Sequence, residues 1–340
     1  MPTVSIIIAT HSRPHLLPRA VESARRAGTD VEIIVVDDAS TDETAEVCRN
    51  FFGVRYVRAE RNRQVAGARN LGLLASSGKY VCFLDDDDVR LPQSLNMQIE
   101  ALTSAPEAGF VYGQVLFSDQ DGAIDGGSQP AVCPQGDIFW KLMAGNFIHC
   151  GSALFRRTCL ARVGLLHEST PGVDDWDLWV RLAENYRVLA VEQPVVIFRR
   201  PTPDSGQGSS DTVKLISLGR DLLRQRWLAL PRAMSAPPQK RREVWLSFSQ
   251  NFSDHLLWEA ASSLFKGNLR HASKSVWAAL RLHPTGLLGT VRRWARASTF
   301  RILLRNGFSP AGLANAKASF KQMQTDRGQI DSSSLTRGVA

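Results

Sequence analysis

The stretch Tyr80-Val81-Cys82-Phe83-Leu84-Asp85-Asp86-Asp87-Asp88 is a short apolar run that ends in four consecutive aspartates. A second run, Val31-Glu32-Ile33-Ile34-Val35-Val36, leads in the same way into Asp37-Asp38. Runs of this length with a helical pattern on each side are typical of strands that are buried on both faces of a parallel sheet. Ligands bind beyond the carboxyl ends of such strands. The sequence therefore predicts an α/β fold with an acidic site at one edge of the sheet.

The four adjacent aspartates indicate a bound cation. Neighbouring carboxylates repel one another strongly unless a cation lies among them. Hard oxygen ligands suit Mg²⁺ or Mn²⁺. A solvated acidic turn is the alternative, and the pattern favours a metal-assisted site.

Strand and helix patterns alternate as far as about residue 117, which is typical of a doubly wound sheet with right-handed crossovers. Residues 1–210 are expected to form this domain, residues 211–310 a basic helical region, and residues 311–340 a disordered tail. Within the first domain, residues 118–137 read as a hairpin tip or mobile loop. Residues 201–213 read as a flexible linker or lid. The predicted strands are Val4–Ala9, Glu32–Val36, Val54–Val57, Tyr80–Leu84, Gly109–Phe117 and Val195–Phe198.

The charge is divided unevenly along the 340 residues. Residues 212–340 hold 21 Lys and Arg against 6 Asp and Glu, a net +15, which leaves −7 of the total +8 for residues 1–211. Within residues 285–300, apolar side chains share one helical face and arginines lie away from it, which fits a helix at an anionic membrane surface. A helix packed on its own domain is the alternative. Nucleic acid is not expected as a partner, because no known binding module accompanies the charge.

Cysteine use and the N-terminus predict the compartment. The five cysteines are an odd number without a Cys-x-x-Cys pair, so we expect reduced thiols in a cytoplasmic protein. No secretory leader pattern opens the sequence, and no run reaches the ~18 apolar residues of a membrane span. The expected location is cytoplasmic, with peripheral attachment to the inner face of the membrane left open.

Five short motifs occur in order between residue 3 and about residue 200. They are Val4–Thr10 with Arg13-Pro14, Val36–Ser40, Ala66–Asn70, Phe83–Asp88 and Val173–Trp179. Together they resemble the motifs of the inverting family 2 glycosyltransferases, which have the GT-A fold. The resemblance implies a GT-A type, doubly wound and mostly parallel sheet with a C-terminal α-helical appendage. It also implies transfer of a sugar from a nucleoside-diphosphate sugar donor to a hydroxyl of a glycan or lipid-linked glycan acceptor.

The same resemblance implies a donor site. Its nucleotide-sugar-binding residues would be Thr10, Ser12, Arg13, Asp37, Asp38, Arg69, Asp85 and Asp86. Asp87 would bind the Mg²⁺ or Mn²⁺ ion, and Asp85 would share it or lie near the ribose. Three alternatives stay open: Ser12 as a turn or helix cap, Arg69 in a surface ion pair, and Asp88 as the N-cap of the helix that follows Leu91.

The resemblance also implies a catalytic base and an acceptor side. The family places the base on the Asp of a Glu-Asp pair; here the pair is Asp174-Asp175, so Asp175 is the candidate base. Asp174, Trp176 and His149 are candidates for the acceptor side. Packing is favoured for Trp176 and a structural role for His149. The sequence departs from the family where Pro201 stands in place of a histidine that helps to hold the metal or diphosphate.

Other classes of protein fit less well. A Ser-His-Asp hydrolase would need a Gly-x-Ser-x-Gly elbow, and a Rossmann dehydrogenase would need Gly-x-Gly-x-x-Gly after the first strand; neither occurs. A nucleotidylyltransferase would need a Gly-rich basic loop there. A catalytically silent glycan-binding or scaffolding protein with the GT-A fold remains the alternative function.

Overall fold

The computed structural model describes residues 2–124, 126–200 and 211–284. The chain divides into two compact units, and the first ends at Val244 while the second begins at Trp245. The predictions for residues 201–210, including Pro201, lie outside the described residues. The same holds for the predicted surface helix at 285–300 and for the predicted tail at 311–340.

The first unit is built on one eight-stranded sheet. Its strands are β1 (Val4–Thr10), β2 (Val31–Asp37), β3 (Val54–Arg58), β4 (Tyr80–Asp85), β5 (Val89–Arg90), β6 (Ala108–Ser118), β7 (Ala153–Arg156) and β8 (Arg187–Arg199). Their order across the sheet is β3-β2-β1-β4-β7-β6-β8-β5. The first four run parallel, and β6 and β8 are parallel to each other. β7 is antiparallel to both β4 and β6, and β5 is antiparallel to β8.

Helices cover the sheet and continue into the second unit. They are α1 (Leu17–Arg26), α2 (Thr44–Arg49), α3 (Gln64–Ala75), α4 (Ser94–Ser104), α5 (Phe139–Ala144), α6 (Leu160–Val163), α7 (Asp174–Asn185), α8 (Thr212–Gln225), α9 (Pro231–Ser235), α10 (Pro238–Phe265) and α11 (Leu269–Leu282). The boundary between the units falls within α10. None of the helices in the described parts of the chain combines the length and the apolarity that a membrane crossing needs.

The central strands are buried as their composition predicts. All seven residues of β1 are buried, as are the last five of β2 and the first five of β4. Gly72 of α3 lets this helix approach β1 closely, because a Cβ atom there would lie 2.3 Å from a methyl group of Ile7. This close packing fixes the position of Arg69, which lies one turn earlier on α3. The predicted α/β sheet of GT-A type with C-terminal helices is confirmed.

Two strands were not expected from the sequence. β5 has only two residues, and β7 has four. Both strands pair with partners distant in sequence and lack a long apolar run. β7 inserts between the parallel half of the sheet and β6, so the sheet is mixed at its centre.

Candidate active site

The acidic residues after β2 and β4 lie at one edge of the sheet, as predicted. In the parallel pairing, Thr10 of β1 stands opposite Asp37 of β2, and Ala9 stands opposite Asp85 of β4. Three neighbouring strands therefore end at the same level. The side chains that follow them share one edge of the sheet.

Asp37 is buried and held by several donors. Its carboxylate accepts hydrogen bonds from the Ser40 backbone N–H at 2.8 Å and the Tyr56 hydroxyl at 2.6 Å, and it pairs with Arg58 at 3.1 Å. Burial by itself would raise the pKa of Asp37, but these donors together lower it. Tyr56 and Arg58 were not singled out from the sequence, although their i, i+2 spacing on β3 puts them on one face beside the end of β2.

Asp38 and Ser12 lie in the adjoining turns. The Asp38 carboxylate accepts a hydrogen bond from the Arg63 backbone N–H at 2.7 Å, and burial raises the pKa of Asp38. Ser12 has a left-handed backbone with φ of 51° and donates its N–H to the Ser40 hydroxyl at 2.8 Å. The turns after β1 and β2 are thus tied to each other, and Ser12 is not the cap of a helix.

The four aspartates after β4 alternate between inward and outward positions. Asp86 and Asp88 are buried, whereas the side chains of Asp85 and Asp87 are 23% and 13% exposed. Of the four aspartates, Asp85 and Asp87 are therefore the ones whose side chains are exposed to solvent. Asp85 and Asp87 are the two that a bound ion could reach.

Asp86 anchors the first loop to the acidic run. Its carboxylate accepts a hydrogen bond from the Thr10 hydroxyl at 2.6 Å and pairs with the Arg13 guanidinium at 2.6 Å. Arg13 also reaches Asp87 at 3.3 Å. Burial raises the pKa of Asp86 to about 7 although Arg13 opposes the shift. Thr10 and Arg13 therefore lie against the acidic run in the described residues.

Asp88 holds the end of β8. Its carboxylate accepts a hydrogen bond from the Arg199 backbone N–H at 2.9 Å. The alternative of Asp88 as a helix N-cap is wrong, because α4 begins only at Ser94 and its N-cap position is Gln93. Burial raises the pKa of Asp88, and the neighbouring Asp85 adds to the rise.

Arg69 joins the two acidic motifs. Its buried guanidinium donates to Asp85 at 2.6 Å and to Asp174 at 3.0 Å. The alternative of a surface ion pair is wrong, because Arg69 is only 5% exposed. Its predicted contact with donor phosphates remains a prediction. One side chain of α3 thus links the end of β4 to the start of α7, and this link is called the Arg69 bridge below. Arg69 and Asp174 are 105 residues apart in sequence.

Asp175 lies at the first turn of α7, next to this bridge. Burial, and then the charge of Asp174, raise the pKa of Asp175 to about 7, while Arg69 opposes the shift. Its side chain is partly exposed and accepts the Trp176 backbone N–H at 2.7 Å. A carboxylate with a pKa near neutrality can take up a proton at physiological pH.

The helix that carries Asp175 is held by a buried network that the sequence did not reveal. Asp177 accepts hydrogen bonds from Arg181 at 2.9 Å and Trp227 at 2.9 Å, and it contacts His167 at 2.7 Å. These donors lower the pKa of Asp177 against the effect of burial. Asp177 therefore ties the first turns of α7 to His167 before the helix and to Trp227 after α8.

Trp176 and His149 lie in aromatic surroundings. Trp176 is 4% exposed, its indole N–H donates to the Leu142 carbonyl at 2.7 Å, and its ring packs on Trp227. This position favours packing over contact with an acceptor. His149 is partly exposed between the rings of Phe117 and Phe198. Its role on the acceptor side remains a prediction.

The carboxylates fit a divalent ion that shares its ligands with a substrate. In the described part of the chain, no three His, Cys, Asp or Glu side chains converge to hold a metal by themselves. Mg²⁺ is commonly held by one or two carboxylates together with substrate phosphates. The accessible pair Asp85 and Asp87 matches that arrangement, and burial, then Asp85, raise the pKa of Asp87, as expected where a cation would relieve repulsion.

Comparison with known families agrees with this architecture. Residues 5–164 match the family model for glycosyl transferase family 2. The resemblance to the family 2 glycosyltransferases that the motifs indicate is therefore confirmed. The match includes β1 to β4, the acidic run and Arg69. Asp174 and Asp175 lie beyond it, so their roles depend on the geometry described above.

Relatives of this chain include curated bacterial proteins. The protein y4gI of Sinorhizobium fredii is 26% identical to this chain over 261 residues. The matched region is 72% of this chain and 28% of y4gI, so the chain spans less than a third of that protein. The Escherichia coli UDP-Glc:alpha-D-GlcNAc-diphosphoundecaprenol beta-1,3-glucosyltransferase WfgD is 26% identical over 193 residues, which are 55% of this chain and 72% of the relative.

A solved structure shares the fold of this chain. It is the mannosyltransferase PcManGT of Pyrobaculum calidifontis, in complex with GDP-Man and Mn²⁺. The two structures align with a TM-score of 0.56 at 16% identity, over 97% of this chain and 87% of the other. This similarity establishes the fold.

Proposed function

We propose that the protein is a metal-dependent inverting glycosyltransferase. It moves a sugar from a nucleoside-diphosphate sugar to a hydroxyl of a glycan or lipid-linked glycan. The observation that carries the proposal is the Arg69 bridge, because it brings the acidic run after β4 and the Asp174-Asp175 pair together at one edge of the sheet. Donor and acceptor chemistry need these two acidic groups side by side.

The donor binds at the ends of β1, β2 and β4. Asp38, with Asp37 behind it, receives the nucleotide base, and Thr10, Ser12 and Arg13 line the adjoining loop. Asp87 and Asp85 would hold Mg²⁺ or Mn²⁺, and the bound ion would neutralise the charge that develops on the diphosphate leaving group. Asp86 supports this site from behind, because its carboxylate is occupied by Thr10 and Arg13.

Asp175 acts as the general base. It accepts the proton of the acceptor hydroxyl while that oxygen attacks the anomeric carbon from the face opposite the diphosphate. The C–O bond to the diphosphate breaks as the new glycosidic bond forms, so the configuration at that carbon is inverted. Asp174 and Arg69 position Asp175 and set its pKa, and the buried contacts of Asp177 hold the helix.

The names of relatives support a proposal for the acceptor and the location. The name of WfgD states that it acts on a diphosphoundecaprenol-linked sugar. We extend a lipid-linked acceptor of this kind to the present chain, with a role in polysaccharide assembly. An enzyme with such an acceptor works at the inner face of the membrane, where a peripheral attachment brings it to its substrate.

The experiment that tests the proposal measures release of nucleoside diphosphate from UDP- and GDP-sugars with Mn²⁺ or Mg²⁺. Asp87→Asn and Asp175→Asn should each lower the rate by about 100-fold or more. Asp121→Asn, at an exposed loop position, is the matched control and should keep the wild-type rate. Proton NMR of the product should show the inverted anomer.

Two results would contradict the proposal. Full turnover in both site variants would mean that the reaction uses other residues. Binding of donors and glycans without any turnover would favour the alternative, a catalytically silent glycan-binding or scaffolding protein with the same fold.

A further inference from the structure

The second unit carries an exposed helix face on which apolar and basic side chains alternate. Helix α11 buries Ala272, Ser275, Ala279 and Leu282. The opposite side, here called the α11 face, consists of Leu269, Arg270, Lys274, Trp277, Leu280 and Arg281, all of them exposed. The spacing of three and four residues puts these side chains on one side of the helix.

Large apolar side chains are unusually open on the α11 face. Leu269 is 69% exposed and Trp277 58% exposed. The guanidinium of Arg281 lies 4.0 Å from the centre of the Trp277 ring. A group of exposed apolar residues beside cations marks an interaction surface. An indole stacked with a guanidinium presents an apolar body and a charged tip together.

The charge of this region has one sign. Residues 264–284 contain Lys266, Arg270, Lys274 and Arg281 and no Asp or Glu. Leu264 and Phe265, at the end of α10, are also exposed. The segment contributes cations and no carboxylate of its own, so its charge is complementary to an anionic partner.

The mixture of side chains distinguishes between anionic partners. A nucleic acid or an acidic protein would pair with the basic residues but would leave Leu269, Leu280 and Phe265 in water. A lipid surface accommodates both kinds of side chain, because phosphates meet the cations while the acyl boundary receives the apolar groups. Tryptophan is favoured at that boundary.

We propose that the α11 face docks the protein on an anionic lipid bilayer. Trp277 enters at the level of the headgroups, and Lys266, Arg270 and Arg281 contact lipid phosphates. This surface differs from the one predicted at residues 285–300. The inference rests on the proposed membrane location of the enzyme, but its test requires no catalysis.

The test is flotation of the full-length protein with vesicles of phosphatidylcholine containing phosphatidylglycerol. The wild-type protein should bind these vesicles and should not bind pure phosphatidylcholine. Each cation near the surface contributes about fivefold to partitioning, so Arg270→Gln with Arg281→Gln should lower it by about 25-fold. Trp277→Ala should also lower binding.

Matched controls remove the same side-chain types from the first unit. Arg49→Gln and Phe52→Ala alter an exposed arginine and an aromatic residue that is 90% exposed, and both should bind like the wild type. Absence of wild-type binding, or equal binding by the α11 variants, would overturn the inference. So would a lipid-free dimer, seen by size-exclusion chromatography, that the α11 variants split, because a second copy would then cover the face.

The two proposals fail separately. Release of nucleoside diphosphate, measured without lipid, should be unchanged in the α11 variants. If turnover is normal and vesicle binding is absent, only the docking surface is wrong. If vesicle binding is normal and turnover is absent, only the proposed reaction is wrong.

Discussion

The pH dependence of turnover should report the ionisation of Asp175. The residue accepts a proton only as a carboxylate, and burial, then Asp174, raise its pKa to about 7. We expect kcat/KM to rise with pH through a midpoint near that value. At about pH 6, about a tenth of Asp175 is ionised, so the rate should be about a tenth of the plateau.

Replacement of Asp174 by asparagine should move this midpoint downwards. The substitution removes the negative charge next to Asp175, while the cation of Arg69 stays nearby. Both effects favour the ionised form, so the pKa of Asp175 should fall. A neighbouring charge shifts a pKa by about 1 unit or more, so the rate at about pH 6 should rise from about a tenth to about half of the plateau.

The assay is release of nucleoside diphosphate at saturating Mn²⁺ across the pH range. Thermal melting must accompany it, because Asp174 also belongs to the buried ion pair with Arg69. Rates are compared only where both proteins are folded, and Asp121→Asn serves as the unshifted control. If folded Asp174→Asn keeps its midpoint near pH 7, Asp175 is not the base or the two carboxylates do not interact.

Three further predictions concern the bridge, the helix α7 and the metal. Arg69→Met leaves Asp85 and Asp174 without their shared cation and should lower the free energy of unfolding, measured in urea, by about 3–5 kcal/mol. The surface control Arg49→Met should change it by less than about 0.5 kcal/mol. Equal effects of the two substitutions would mean that the Arg69 bridge contributes nothing to stability. Trp176→Ala empties a packed position beside Trp227 and should cost about 3–5 kcal/mol in the same assay, with a smaller loss showing that the site collapses. Burial, and then Asp85, raise the pKa of Asp87, so protons compete with a metal ion for its carboxylate. The rise in melting temperature caused by Mn²⁺ with UDP should therefore be larger at about pH 8 than at about pH 6. Equal rises at the two pH values would mean that the ion binds elsewhere.

The parallel half of the sheet could be predicted from the sequence, because its strands are continuous apolar runs with helices between them. The end of β4 could also be placed, since Asp85 follows directly from such a run. β7 could not be predicted, because a strand of four residues is stabilised by pairing with β4 and β6 rather than by its own pattern. Long-range pairing leaves no local signal.

The site shows the same limit. The motifs named Arg69 and Asp174 separately, but nothing in either motif indicates that the two side chains meet. The orientation within the aspartate run was open for a different reason. The strand ends at Asp85 and the chain turns at Asp86 and Asp87, so the alternation of a strand does not predict which carboxylates are buried. Asp86 is buried against Thr10 and Arg13, which lie more than 70 residues earlier in the sequence.

The reversed direction of β7 changes which loops lie beside the candidate site. Because β7 runs against β4, with Arg156 beside Tyr80, the chain enters β7 at the same level at which β4 ends. The short turn at Cys150–Ser152, which leads into the antiparallel strand β7, therefore lies beside the candidate site. Under the proposed reaction, a change in the length of the segment before that turn should alter acceptor preference while every strand keeps its register.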